Sequence, residues 1–346
     1  MPTLAEPRIV EAEGEVPPHV QALLRAARLA DPEASLIQTH ISWVILAGPH
    51  AYKLKKPVNF GFVDFSTRAL RLQAARNEVT LNRRFSPWAY RGVRPLVERD
   101  GQIRFAGRGC VLDYVVWMRR LPADRMLDVL VSSGLANPEM LERIADRVVE
   151  LHLLAPSGAG IDDFGAPEAV LGNIHENADQ TEPFIGRTID RETWALVLEA
   201  SRDFIERRRA LLQSRMADGY VRDCHGDLHA KSICVTSPIT VFDCLEFSER
   251  LRRGDVASEV AFLAMDLEFL GHPELAGAFV RRYIDRSGDR AVADLMDLYV
   301  SYRAYVRGKV ESLRLAQPGL AAGAEREIAA RARRYFELAG QHAARL

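Results

Sequence analysis

The period of the apolar positions changes part-way along this chain. Over its first third they gather in short runs divided by turn residues, the pattern of strands. "SLIQTHISWVILAG" and "AYKLKKPV" flank Gly48-Pro49, and "GVRPLVE" and "QIRFAG" flank Arg99-Asp100-Gly101, so two hairpins are expected. "CVLDYVVWM" is almost continuously apolar and predicts one further strand. A single helix is expected among them, from Thr67 to Phe85. Its apolar stripe runs Leu70, Ala74, Leu81, Phe85, and Glu78 fills the gap in that stripe. A carboxylate on the core side of a helix is expensive to bury alone, so Glu78 calls for a cation.

From about Leu121 the pattern turns helical. A helix is expected over Asp124–Ser133. Asn137-Pro138 supplies an N-cap and a first-turn proline for another that runs to about Leu154. "APSGAGIDDFGAP" reads as a loop, and Asp190 to Met216 as one long helix. Short strands and turns follow in "GYVRDCHGDLHAKSICVTSPITVFDCLEF", and then helices near 255–270, 273–286, 289–316 and 322–345. The expected fold class is α+β. A β-rich lobe of five strands and one helix, residues 1–117, precedes a mostly helical lobe, residues 118–346.

Composition narrows the function. At 346 residues the chain is long enough for two such lobes, and 48% hydrophobic with 27% charged residues is ordinary for a globular protein. The net charge of −1 offers no basic field for nucleic acid, and Arg-rich runs such as "ERRRALL" read as solvated helix faces. No apolar run approaches the ~18 residues of a membrane span. The acidic, proline-containing start, "MPTLAEPRIVEAEGEVPP", has no apolar leader segment, so a cytoplasmic protein is expected. Cys110, Cys224, Cys234 and Cys244 form no C-x-x-C pair. Reduced thiols packed on strands are expected in preference to a zinc site.

The chemistry concentrates in "HGDLHAKSICV", residues 225–235, and "FDCLEF" after it. One reading is a metallohydrolase, since His225, Asp227 and His229 alternate as strand ligands would. The companion motifs of a metallophosphoesterase are broken and out of order, however. A second reading is phosphoryl transfer. That chemistry needs an aspartate to take the proton of the acceptor hydroxyl, a metal-binding oxygen five residues on, and a second aspartate on the next hairpin for the metal at the phosphates. Asp227, Ser232 and Asp243 have that order and spacing. Upstream, "AYKLKK" places Lys53 on a strand, and Glu78 already calls for a cation. A third reading is structural: Asp255 as the N-cap of the helix it opens, His229 as a satisfied core histidine, Lys55 as a solvated strand residue. For Asp227 and Asp243 that reading is weak, because like charges in apolar surroundings repel unless a cation joins them.

"HGDLHAKSI", "FDCLEF" and "GDVASEVAFL" together resemble the aminoglycoside phosphotransferase-like branch of the protein-kinase-like superfamily. The stretch from "HISWVILAG" through "AARNEVTLNRRF" is similar to a group of bacterial proteins within that branch. The resemblance runs from about Thr39 to Leu315. It implies a kinase-like fold with a nucleotide between the lobes and Asp227 as catalytic base. It makes Asp243 and Ser232 the metal-binding positions, Lys53 the phosphate-binding lysine with Glu78 as its partner, and Met118 to Leu121 the hinge that meets adenine. ATP and Mg2+ are the implied cofactors. A nucleotide and a small-molecule acceptor are the implied partners, with no nucleic acid and no membrane. No G-x-x-x-x-G-K-[ST] occurs, so a form without a P-loop domain is expected. Two positions depart from the family pattern. Ser232 stands where asparagine is usual, and "THISWV" occupies the place of the glycine-rich loop without a glycine. The function expected is transfer of the γ-phosphoryl of ATP to a hydroxyl of an amino-sugar, sugar or amino alcohol. A catalytically weak nucleotide-binding module and a metal-dependent phosphoesterase are the alternatives.

Overall fold

In the computed structural model, residues 16–61, 63–105, 107–316, 320 and 322–346 are described, so most of the acidic N-terminal stretch lies outside them. The chain forms two compact units. The first holds residues up to Pro122 together with Thr240–Ser248, and the second holds Ala123–Ile239 and Glu249–Leu346.

The first unit is built on a six-stranded antiparallel sheet. Its strands are β1 (Ser35–Gln38), β2 (Ser42–Ala47), β3 (His50–Lys55), β4 (Tyr90–Arg99), β5 (Gln102–Phe105) and β6 (Cys110–Arg119), in the order β1-β2-β3-β6-β4-β5. Five strands were expected. The sixth arises because "SLIQTHISWVILAG" folds back on itself: Thr39 N donates to Ser42 O at 2.9 Å, and Ser42 N donates to Thr39 Oγ1 at 3.0 Å. The Asp100-Gly101 turn has positive φ at both residues, 54° and 71°, the geometry that matches the twist of a two-residue hairpin.

Each face of the sheet is covered by a helix. α1 (Pro18–Ala30), which the sequence reading did not anticipate, buries Val20 and Leu23 against Ile45, Leu54, Leu96 and Val115. α2 (Arg68–Phe85) is capped by Thr67, whose side chain accepts from Leu70 N, and packs Ala75 and Val79 on the other face with Tyr90 and Val116. Strand alternation sends Leu54 to the first face and Lys53 and Lys55 to the second, where α2 brings Glu78.

The second unit is mostly helical: α3 (Leu127–Ser132), α4 (Pro138–Leu154), α5 (Pro167–Thr181), α6 (Arg191–Arg207), α7 (Arg209–Ala217), α8 (Glu249–Arg252), α9 (Val256–Phe269), α10 (Pro273–Ser287), α11 (Val292–Arg314) and α12 (Ala322–Ala343). The single helix expected over Asp190–Met216 breaks at Arg208, which leaves the helical region at φ −104°, ψ 15°. Beyond the break α7 buries Leu212 and Arg215, and Arg215 pairs with Asp255 at 2.5 Å and Asp289 at 2.8 Å. α9 buries residues all round, and Asp255 caps it by accepting from Ala257 N at 2.8 Å. Ahead of α9, the strand Arg253–Asp255 pairs antiparallel with β7 (Val221–Asp223), and the "HGDLH" loop leaves the end of β7. No helix among the described residues is long and apolar enough to cross a membrane.

Candidate active site

The residues singled out from sequence fall into two groups, one in each unit. In the first, Lys53 on β3 reaches Glu78 Oε1 at 2.9 Å and Asp243 Oδ1 at 2.5 Å. Glu78 is fully buried, while the Asp243 side chain is 53% exposed. Burial alone would pull the Lys53 ammonium down; Asp243, Glu78 and Glu246 instead raise it well above the usual lysine range. Asp243 adopts φ 65°, a region few residues other than glycine enter. Its neighbours hold it there. Asp243 N donates to Tyr90 Oη at 3.0 Å, Cys244 N to Asn82 Oδ1 at 3.0 Å, and Val241 N to Ser86 Oγ at 3.2 Å. Met118, near the end of β6, lies opposite Ala51 and Tyr90 and packs beside Tyr90 and Val116.

Lys55 departs from its expected role as a solvated strand residue. It is 1% exposed and pairs with Glu78 Oε2 at 2.5 Å and with Glu246 Oε1. The cation that Glu78 required is thus two cations, one on each oxygen. The sequence reading missed Glu246, although "DCLEF" already set a carboxylate among apolar residues.

In the second unit the loop Cys224–Ser232 is held from α9. Glu259 accepts from His225 N at 2.9 Å and Gly226 N at 2.7 Å, and Asp266 accepts from Ala230 N at 2.9 Å. Burial would raise the Glu259 carboxyl, but His152, His225 and the Gly226 amide hold it down at about 2. Arg303 of α11 donates to Gly226 O at 3.3 Å. Asp227 sits 34% exposed, with His229 Nε2 at 3.3 Å from its Oδ2. Burial acts to raise the Asp227 carboxyl. His229, then Arg307 and His225, outweigh it and hold the group well below the usual carboxylate range. His229 is more than a satisfied core histidine, because its Nδ1 accepts from Lys231 N at 3.1 Å and leaves Nε2 to face Asp227. Ser232 is buried, and its hydroxyl serves the loop: it accepts from His229 N at 3.0 Å and donates to His229 O at 2.8 Å.

The loop's supports were legible but unread. "SEVAFLAMDL" sets Glu259 and Asp266 seven residues apart in a mostly apolar helix, the same signal that singled out Glu78. Asp266 thus holds backbone of the loop, and Asp162 ties its own turn by accepting from Gly158 N at 3.0 Å. Cys224, Cys234 and Cys244 are buried and in no disulfide, while Cys110 is exposed. Cys224 lies with His152 and Glu259 in a group that could ligate a metal. His152 is already engaged there, by Tyr283 at 2.8 Å and Glu259 at 3.2 Å.

Residues 74–295, which carry Glu78 and the whole of both motifs, match the model of the phosphotransferase enzyme family. The chain belongs to that family. Uncharacterized proteins of Mycobacterium tuberculosis and Mycobacterium bovis are 36% identical to this family member over 313 residues, covering 90% of it and 60% of theirs. The chain thus spans about three-fifths of the length of those relatives. Among solved structures, a choline/ethanolamine kinase family protein from Mesorhizobium loti superposes with a TM-score of 0.51 at 12% identity, over 94% of this chain and 99% of that one. An amicoumacin kinase in complex with AMP-PNP and Ca2+ gives 0.50 at 13% identity, over 92% and 93%. The fold of this phosphotransferase family member is kinase-like α+β.

Proposed function

We propose that this chain is an ATP-dependent phosphotransferase that moves the γ-phosphoryl group to a hydroxyl of a small molecule. The observation that carries the reading is the Lys53 ammonium, fixed by buried Glu78 and shared with the half-exposed Asp243. A triphosphate asks for this arrangement: a cation for its phosphate oxygens and a carboxylate for its metal. An exposed carboxylate oxygen is a donor suited to Mg2+, and Asp243 is the residue that would hold the ion. Mg2+ bound there would supply positive charge against the phosphates. Met118 and the segment after it would meet the adenine.

Asp227 receives the proton of the acceptor hydroxyl as that oxygen attacks the γ-phosphorus, and ADP departs. Its lowered pKa keeps it ionised and ready to accept a hydrogen bond throughout the physiological range. His229 orients the carboxylate. Ser232 spends its proton and one lone pair on His229, so any metal it binds takes the remaining lone pair and is held weakly. The rate gain comes from positioning and electrostatics.

The test joins binding to turnover. Mg-ATP should raise the melting temperature by mass action, and Lys53→Ala and Asp243→Asn should each blunt the rise. ATP consumption is then followed over a panel of sugars, amino-sugars and amino alcohols with a no-acceptor control. The choline/ethanolamine kinase fold relative motivates the amino alcohols. Bound ATP without acceptor-dependent turnover would favour the nucleotide-binding module, a reading that the glycine-free turn between β1 and β2 supports. Metal-dependent phosphatase activity without nucleotide would favour the phosphoesterase.

A further inference from the structure

β3 presents two lysines to one face of the sheet, and their surroundings differ. Lys53 shares a partner, Asp243, that a ligand can reach. Lys55 is sealed: its side chain is 1% exposed, that of Glu78 0% and that of Glu246 4%. Its ammonium also lies 5.4 Å above the Phe65 ring. Burial alone would pull the Lys55 ammonium down, yet Glu246 and Glu78 raise it, so it stays charged. Nothing the size of a phosphate has access to this pair.

That difference has a mechanical consequence. A phosphate that reaches Lys53 competes with Glu78 and Asp243 for its ammonium, and the half-exposed Asp243 is the partner that a ligand can displace. Glu78 then shares Lys53 with the ligand, and Asp243 loses one of the contacts that maintain it at φ 65°, a conformation that persists only where its surroundings over-determine it. Lys55 answers both losses. It keeps a cation on the second oxygen of Glu78. It also grips Glu246, three residues beyond Asp243, while Phe247 next to Glu246 packs with Val63, Phe65 and Ala74. The far end of the Asp243 segment is thereby tied to β3 by a contact that ligand exchange does not touch.

We propose that Lys55 and Glu246 form a positioning pair for phosphoryl transfer, which holds Glu78 and the Asp243 segment in place while Lys53 exchanges Asp243 for phosphate. The pair touches no ligand, and the proposal rests on the nucleotide reading above. The decisive variant is Lys55→Met/Glu246→Met. It removes one charge of each sign and leaves Lys53 on Glu78; replacing a buried ion pair by apolar side chains is often neutral for stability. The double variant should melt near the native temperature. It should bind Mg-ADP about tenfold or more weakly and need more Mg2+ for half-maximal binding, the scale on which residues behind a metal ligand tune affinity. Glu246→Gln keeps the shape and a hydrogen bond to Lys55 but loses the charge, and should show a smaller shift in the same Mg2+ titration. A folded double variant with native Mg-ADP affinity would overturn the proposal and leave the nucleotide reading standing. If the double variant does not fold, an unchanged Mg2+ titration in Glu246→Gln overturns it equally. Native protein that shows no Mg-nucleotide binding at all overturns the nucleotide reading, and this pair's role with it.

Discussion

The two groups of candidate residues are held in opposite ways. Around Lys53 the contacts run between side chains of opposite charge: Glu78, Asp243 and, through Lys55, Glu246. Around Asp227 they run from carboxylates to backbone amides: Glu259 to His225 and Gly226, Asp266 to Ala230, and the Ser232 hydroxyl to both backbone groups of His229. Ion pairs can exchange one partner for another of like charge, so the first group is suited to take up and release phosphate. The amides of the second group are buried and already bonded to Glu259 and Asp266, so that group is fixed. On the proposed function, the residue that takes the proton, Asp227, lies on the part that does not rearrange.

Four experiments would break or sharpen that contrast. Lys55→Ala strikes the sealed half of the first group and leaves the carboxylates of Glu78 and Glu246 short of a cation. Stability should fall by about 3–5 kcal/mol, as for one partner removed from a buried pair. A urea transition of the variant unchanged from native would show that the pair is not a fixed element. Asp227→Asn keeps the shape of the loop but removes the proton acceptor. Turnover on any identified acceptor should fall by about 10²-fold or more while nucleotide affinity holds. Near-native turnover would take Asp227 out of the chemistry.

Glu259→Gln tests the fixed group by pH. The folded carboxyl, held at about 2, lies below its ordinary value near 4.5, so its stabilisation is fully present above the ordinary value and is lost as pH falls through the folded one. At neutral pH the variant should therefore be less stable, by on the order of 2–3 kcal/mol, and the gap should close as pH falls toward 2. A gap that is constant over pH 2–6 in denaturation curves would contradict the assignment. Ser232→Ala has the smallest expected effect. It removes a hydrogen-bond pair from the loop, worth about 1 kcal/mol, and should leave the Mg2+ dependence of turnover close to native. A large rise in the Mg2+ requirement would return the hydroxyl to the metal; Ser232→Asn, which restores a carbonyl oxygen, would then lower it.

Much of this was legible from one-dimensional pattern. Strand alternation set Lys53 and Lys55 on one face, the helical period put Glu78 on the core side of α2, and "GDVAS" declared the Asp255 cap, because local geometry fixes each of these within a few residues. The order Lys53, Glu78, Asp227, Asp243 pointed to the proposed chemistry for the same reason: spacing along a chain survives into any fold that uses it. What the pattern could not contain were choices between distant partners. Whether Lys55 faces water or Glu246, 191 residues away, depends on where Thr240–Ser248 packs, and that segment joins the first unit across more than a hundred residues of the second. Likewise nothing local turned the acids of α9 onto backbone amides of the Cys224–Ser232 loop. Those are the tertiary structure's decisions, made because a buried charge or amide must find a partner and only the folded chain brings the partners within reach.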